Sequence, residues 1–365
     1  MTSNLNLKSW LNFKNFANYL EASPQGIRWK HIFNSDASDG VLYPLAVPIK
    51  LCLLLHLLFL SHLSSQQNPQ FSQYLQNPFV INPALTGVED YVDLNLAYRN
   101  QWTGFDGAPK TGTFSFNSSL HLLKGRLQRK QGETHQGVGA FLYTDDVGPI
   151  KQSGVFGSYA YHLKVATDWF VSLGTFIGAT QFRYDDSEAI LLQNPNDILV
   201  QSFSNVNFDM SLGLYIYSDY LFAGIAANQL FDNKIPFNID NDILTTNGRL
   251  QRNFNLLLGS RIDLNNQWEF VPSVLVKTVA NAPIQWDLNT KLAYEDKFWG
   301  GLAYRNQDAL VGFFGLRLLK DFLVSYSYDW SLTEFSGQQS GTHEILIGYR
   351  FNFANQKCAC PKYSL

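Results

Sequence analysis

Charge is scarce in this sequence. Asp, Glu, Lys and Arg make up only 16% of 365 residues, and 27 basic against 30 acidic side chains leave a net charge of -3. With no basic excess there is no electrostatic footprint for nucleic acid. So little charge suits a surface that faces something less polar than water. Methionine is rare, at two residues, and runs rich in Ala, Leu, Glu and Lys are few, which argues against a helical protein. The three cysteines are Cys52, Cys358 and Cys360. None lies between Cys52 and Cys358, where the folded body must be, so no disulfide framework or cysteine metal site holds the core.

Catalytic signatures are missing too. The seven histidines (His31, His56, His62, His121, His135, His162 and His343) form no H-x-x-x-H pair. There is no G-x-S-x-G elbow and no phosphate-cradling Gly-Lys-Ser/Thr run. Asp145-Asp146 and Asp185-Asp186 read as solvated acids in or beside loops, and Cys358-Ala-Cys360 supplies at most two metal ligands. The expectation is no enzyme, no metal and no cofactor.

What is abundant is aromatic and alternating. Aromatics reach 15%, with 28 Phe, 18 Tyr and 8 Trp. From residue 91 onward, period two dominates. Val92, Leu94, Leu96 and Tyr98 alternate with Asp93, Asn95, Ala97 and Arg99, and Val206, Phe208, Met210, Leu212, Leu214 and Ile216 alternate with Asn207, Asp209, Ser211 and Gly213. Such alternation marks strands with one apolar face. It predicts fourteen strands, at 91–99, 111–121, 136–144, 153–164, 169–183, 205–217, 220–229, 252–262, 267–278, 284–295, 297–306, 308–319, 321–331 and 342–353. Most have the length that a tilted strand needs to cross a bilayer.

The gaps support a transmembrane antiparallel up-and-down β-barrel. Short gaps (165–168, 218–219, 263–266, 296, 320) mostly alternate with longer ones (100–110, 145–152, 184–204, 230–251, 332–341). Tight periplasmic turns and long outer loops give that asymmetry, with 122–134 and 306–308 as exceptions. Aromatics near strand ends (Tyr98, Trp102, Trp169, Trp268, Trp299, Tyr304, Trp330, Tyr349) suit an interfacial girdle facing outer-membrane lipid. The expected lumen residues carry both signs: Asp93, Arg99, Asp209, Arg261, Asp287, Lys291, Arg305, Arg317, Asp329, Glu344 and Arg350.

Ahead of the barrel, residues 51–60 read LCLLLHLLFL behind Lys50. They are too short to span a membrane and fit the apolar region of a signal peptide over 47–66. Residues 1–46 resemble neither signal nor barrel, and are expected to be an over-extended gene start with the true start near Val47. Residues 67–90 carry Asn-Pro pairs at Asn68, Asn77 and Asn82 with aromatics between them. That pattern predicts irregular structure at the periplasmic mouth or inside the lumen as a plug. The barrel is assigned to 91–353 and a periplasmic tail to 354–365.

Three segments carry a family resemblance. They are Q-N-P-Q-F-S-Q-Y at 67–74 running into N-P-x-x-x-N-P-A-L-T-G at 77–87, Y-R-N-Q-W-T-G-F-D-G-A-P-K-T at 98–111, and G-T-H-E-I-L-I-G-Y-R-F at 341–351 with Cys-Pro at 360–361. They resemble the PorP/SprF family, outer-membrane proteins of the type IX secretion system of Bacteroidota. Ala-Leu-Thr-Gly at 84–87 departs slightly from that family's usual Ala-Tyr-Ala-Gly. The resemblance implies a barrel that supports secretion or surface attachment of cargo with a C-terminal sorting domain, such as a large adhesin, in some members for gliding motility. It also implies contact with periplasmic secretion machinery. The candidate partner-binding or structural residues are Tyr98, Arg99, Asn100, Gln101, Trp102, Gly104, Gly107, Pro109 and Lys110, with Asn77, Pro78, Asn82, Pro83 and Gly87 in the preceding segment. The alternative is a porin or transporter for small or hydrophobic solutes, since fourteen strands can enclose a channel.

Overall fold

The computed structural model describes residues 69–89, 91–123, 134–185, 202–236, 247–280, 282–319, 321–333 and 339–351. The readings of 1–46 as an extension, 47–66 as a signal and 354–365 as a tail therefore lie outside the described residues.

The described residues form seventeen strands: β1 Val92–Asn100, β2 Lys110–Ser119, β3 His135–Val147, β4 Ile150–Lys164, β5 Phe170–Tyr184, β6 Phe203–Tyr217, β7 Leu221–Asn228, β8 Lys234–Pro236, β9 Asn247–Arg249, β10 Asn253–Ser260, β11 Ile262–Asp263, β12 Trp268–Val279, β13 Gln285–Tyr294, β14 Phe298–Arg305, β15 Ala309–Leu318, β16 Phe322–Ser331 and β17 Thr342–Phe351. Each long strand pairs antiparallel with its chain neighbours, β10 pairs with β12, and β1 pairs with β17. The sheet thus closes into a barrel of fourteen long strands, with β11 as a short extra strand after β10. Closure leaves no unpaired edge, as a wall in hydrocarbon requires.

The alternation sets the two faces. Leu96, Tyr98, Leu173, Phe208, Leu302 and Phe314 are exposed on the outside, while Ser115, His162, Ser172 and Ser327 are buried inside. The outer face is the apolar one, the arrangement that lipid demands.

The structure corrects several expectations. The long gap at 145–152 is a tight turn. β3 and β4 run on to Val147 and Ile150, and only Gly148 and Pro149 separate them. Asp145 and Asp146 therefore sit in a strand, where Thr111 Oγ1 donates to Asp145 Oδ1 at 2.6 Å and Asp146 lies between Lys110 and Lys151 across the ladder. Apolar alternation fails there because the outward positions of these strand ends, Thr144, Asp146, Lys151 and Ser153, are polar. Residues 120–121, predicted as strand, begin a single helical turn, Leu120–Leu123. The 230–251 gap holds the small β8–β9 hairpin. Trp299 belongs to no girdle. It is buried in the wall's inner packing with Phe313, Leu323 and Leu346, because its odd place in the alternation of β14 turns it inward.

Two ends can now be distinguished. β1 starts and β17 stops at the terminal end, which also carries the β4–β5, β6–β7, β13–β14 and β15–β16 turns. The β1–β2, β5–β6, β7–β10 and β16–β17 connections lie at the loop end.

Candidate functional site

Residues 69–89 thread the barrel. The Asn-Pro pairs forbid regular helix or strand, and the segment folds as two 3-10 turns, Pro78–Ile81 and Pro83–Leu85. Tyr74, Leu75, Ala84 and Leu85 are buried against Phe170, Tyr215, Phe222, Val271 and Leu275 of the wall. Phe79 packs with Phe141, Phe156 and Phe176. An irregular backbone inside a barrel must find hydrogen-bond partners on the wall, and it does so around most of the circumference. Asn77 Nδ2 donates to Ser115 Oγ at 2.8 Å. Asn82 Nδ2 donates to the Leu214 and Ile225 carbonyls, while its Oδ1 accepts from Ala84 N. Ser172 Oγ donates to Ala84 O at 2.7 Å, and Asn255 Nδ2 to Ile81 O at 3.2 Å.

Close approach is bought with glycine at one place above all. Gly87 has φ +70°, and Gly137 on β3 faces Thr86 and Gly87 so tightly that a Cβ at Gly137 would fall on the Thr86 carbonyl. His135 and His162 stack at 4.2 Å, and their Nε2 atoms meet Gly87 O at 3.1 Å and Thr86 O at 2.8 Å.

Toward the loop end the segment meets a buried ionic cluster. Arg99 pairs with Asp329 at 2.9 Å and Glu344 at 3.1 Å. Arg305 reaches Asp308 at 3.2 Å, Asp329 at 3.3 Å and Asp287 at 3.5 Å. Lys277 pairs with Asp287 at 3.1 Å. All these charges belong to wall strands or, for Asp308, to the β14–β15 turn. The threaded segment adds only neutral groups. Ser72 Oγ donates to Asp329 Oδ2 at 2.7 Å and accepts from Arg99 Nη1 at 2.6 Å and Arg305 Nη2 at 3.2 Å. The backbone N–H groups of Ser72 and Gln73 donate to Glu344 at 2.9 and 3.3 Å, and Gln73 also bonds Ser325. Wall charges thus pair with one another, and the segment is held by charge-assisted hydrogen bonds.

The residues singled out from sequence separate into groups. Arg99 is central to the cluster. Tyr98, its neighbour, points outward and is exposed. Asn100 ends β1, opposite His343 and Lys110. Gln101 N donates to Pro109 O at 2.9 Å, closing the β1–β2 connection. Trp102 takes φ +48°, and its N–H donates to Thr342 Oγ1 at 3.1 Å. Gly104 and Gly107 take φ +95° and +74°, and Gly107 O accepts from Gly148 N at 3.0 Å. Lys110 is exposed, opposite Asp146. Asn77, Asn82 and Gly87 hold the threaded segment, and Pro78 and Pro83 open its two 3-10 turns. Ser72, Gln73, His135 and His162 were not singled out. Ser72 and Gln73 fall within the Q-N-P-Q-F-S-Q-Y segment at 67–74, and the signal of the two histidines is polarity on an inner strand face.

Between the segment and the wall lies a cavity of about 150 Å³ reaching the loop end at Ala282 and Pro283. Phe71, Val80 and Ile81 form its floor. Phe141, Tyr143, Phe156 and Phe176 line one side, and mostly polar side chains of β6, β7, β10 and β12 line the other.

A family model described as type IX secretion system membrane protein PorP/SprF matches residues 63–349. No curated protein sequence matches the chain. Among solved structures, the toluene transporter TbuX of Ralstonia pickettii is similar at TM-score 0.45 and 12% identity, covering 76% of this chain and 94% of that one. The Pseudomonas putida toluene transporter TodX is similar at 0.42 and 11%, covering 80% and 96%. A Pseudomonas aeruginosa FadL homologue is similar at 0.43 and 11%, covering 79% and 95%.

Proposed function

Because the chain belongs to the PorP/SprF family of type IX secretion membrane proteins, and is therefore an outer-membrane barrel of that system, we propose that it acts as a sealed mount rather than a conduit. In this role it supports secretion or surface attachment of cargo bearing a C-terminal sorting domain, such as a large adhesin, and gliding in a host that glides. One observation carries the reading. Residues 69–89 occupy the lumen and are tied to the wall by Ser72, Gln73, Asn77, Asn82 and Ala84. A lumen so filled leaves no path for a polypeptide. The working surfaces are then the two ends. The terminal end faces the periplasm and meets secretion-machinery components, and the loop end meets cargo at the cell surface. Family membership supports a secretion or transport role for this barrel.

The alternative, a channel for small or hydrophobic solutes, is separated by experiment. In planar bilayers the purified full-length barrel is expected to be electrically silent, and a deletion strain is expected to retain sorting-domain cargo inside the cell. Steady conductance together with normal cargo secretion in the deletion strain would overturn the proposal.

A further inference from the structure

Beyond the secretory role, and independent of it, we infer that the loop-end cavity is a binding site for a single neutral pyranose ring. Size comes first. A cavity of about 150 Å³ takes one six-membered ring, and hydroxyl substituents can extend toward the open loop end.

The two sides of the cavity differ in chemistry. On one side Phe141, Tyr143 and Phe156 stand near-parallel, with interplanar angles of 27° for Phe141–Tyr143 and 9° for Tyr143–Phe156. Aromatic faces carry negative partial charge and attract polarised C–H groups, which a sugar presents on the face of its ring. On the other side is a row of amides whose directions are already set. Asn228 Nδ2 donates to Asn253 Oδ1 at 3.0 Å, and Asn253 Nδ2 to Gln229 Oε1 at 3.4 Å. Amides offer both donors and acceptors, as a polyol requires, and a preset row loses little freedom on binding.

A second observation points to a ligand. Thr180 lines the cavity and is 2% exposed, and its buried Oγ1 has no hydrogen-bond partner among the described residues. An unpaired buried hydroxyl is costly, and a sugar hydroxyl would satisfy it. A purely hydrocarbon ring would leave it unpaired and would strip water from the amides as well.

Charge decides the rest. The lining holds one anion and one cation, Asp209 and Lys277. Lys277 is paired with Asp287 at 3.1 Å, and Asp209 Oδ1 accepts from Met210 N at 2.8 Å. With Lys277 already paired, the lining offers no cation to an anionic guest, so the site favours a neutral ring over an acid. An extended peptide recognised by strand addition needs a free sheet edge, and the closed wall that lines the cavity offers none.

Saturation-transfer NMR on the detergent-solubilised full-length barrel tests this with methyl glycosides of glucose, galactose, mannose and N-acetylglucosamine, and with toluene as an apolar ring. At least one pyranoside should receive transfer on its ring protons, and toluene should not displace it. Thr180→Val, which removes the hydroxyl at constant shape, and Phe156→Leu, which removes a ring but keeps the site apolar, should each weaken binding at least five-fold. A gel shift on heating confirms that each variant is a folded barrel, and either variant alone suffices if the other fails to fold. No transfer to any pyranoside, unchanged binding in a folded variant, or displacement by toluene would overturn the inference.

Discussion

Arg99 and Glu344 are cross-strand partners on the seam where the first and last long strands meet, and their side chains form a 3.1 Å ion pair inside the lumen. The pair closes the barrel and, through Glu344, holds the backbone of Ser72 and Gln73. Seam and threaded segment are therefore coupled at one carboxylate.

Glu344→Ala should be severe. It leaves Arg99 with one fewer partner in a buried site and strands two backbone N–H groups. Breaking a buried pair costs about 3–5 kcal/mol, which should appear as a lower urea midpoint in detergent-refolded barrel. Glu344→Gln keeps acceptor oxygen for those N–H groups and should lose less.

Ser72→Ala removes the hydroxyl shared by Asp329, Arg99 and Arg305 but leaves every ion pair of the wall intact. The cost should be about 1–3 kcal/mol, and it should fall on the segment rather than the barrel. Heat-induced gel mobility should stay near wild type while bilayer recordings show brief openings. A large loss of barrel stability would mean that the wall depends on the segment.

Gly137→Ala should unseat the segment, because its Cβ falls on the Thr86 carbonyl and the backbone there cannot yield as a flexible side chain would. Gly157→Ala is the control, since the nearest atom to its Cβ is the Ile177 carbonyl at an ordinary 3.9 Å. Protease digestion of the purified barrel should cut within 69–89 in the first variant and not in the second.

A pH response belongs to the β7–β10 connection. Hydrogen bonds from Arg252 hold the Asp232 carboxyl below its ordinary range. A lowered carboxyl contributes stability above its unfolded value and loses it as pH falls through the folded one. The tie should therefore be intact at neutral pH and released only in strong acid. Arg252 is exposed and Asp232 half-buried in a loop, so the effect should be local. Protease cleavage within 229–252 should rise on acidification in wild type, whereas Asp232→Asn should cleave readily at every pH.

Much of the wall is legible along the chain. Lipid on one side and a polar lumen on the other act on each residue separately, so Leu96 beside Ala97 or Phe208 beside Asp209 declares its face with no knowledge of what lies across the barrel. That rule reads the hydrocarbon layer rather than the hydrogen-bond ladder, which is why β3 and β4 outrun it at Val147 and Ile150. The lumen charges Arg99, Arg305, Asp329 and Glu344 are likewise visible as polar members of alternating runs.

Sequence by itself, then, determined the closed antiparallel barrel, the placing of its long strands and the set of polar residues facing inward, because each follows from a period-two pattern along one strand. Tertiary structure alone decided which of those residues meet. Ser72 finds Glu344 across 272 positions of chain, and His162 finds the Thr86 carbonyl across 76. Such contacts depend on the curvature that brings opposite walls together around an irregular segment, and no local periodicity encodes that distance.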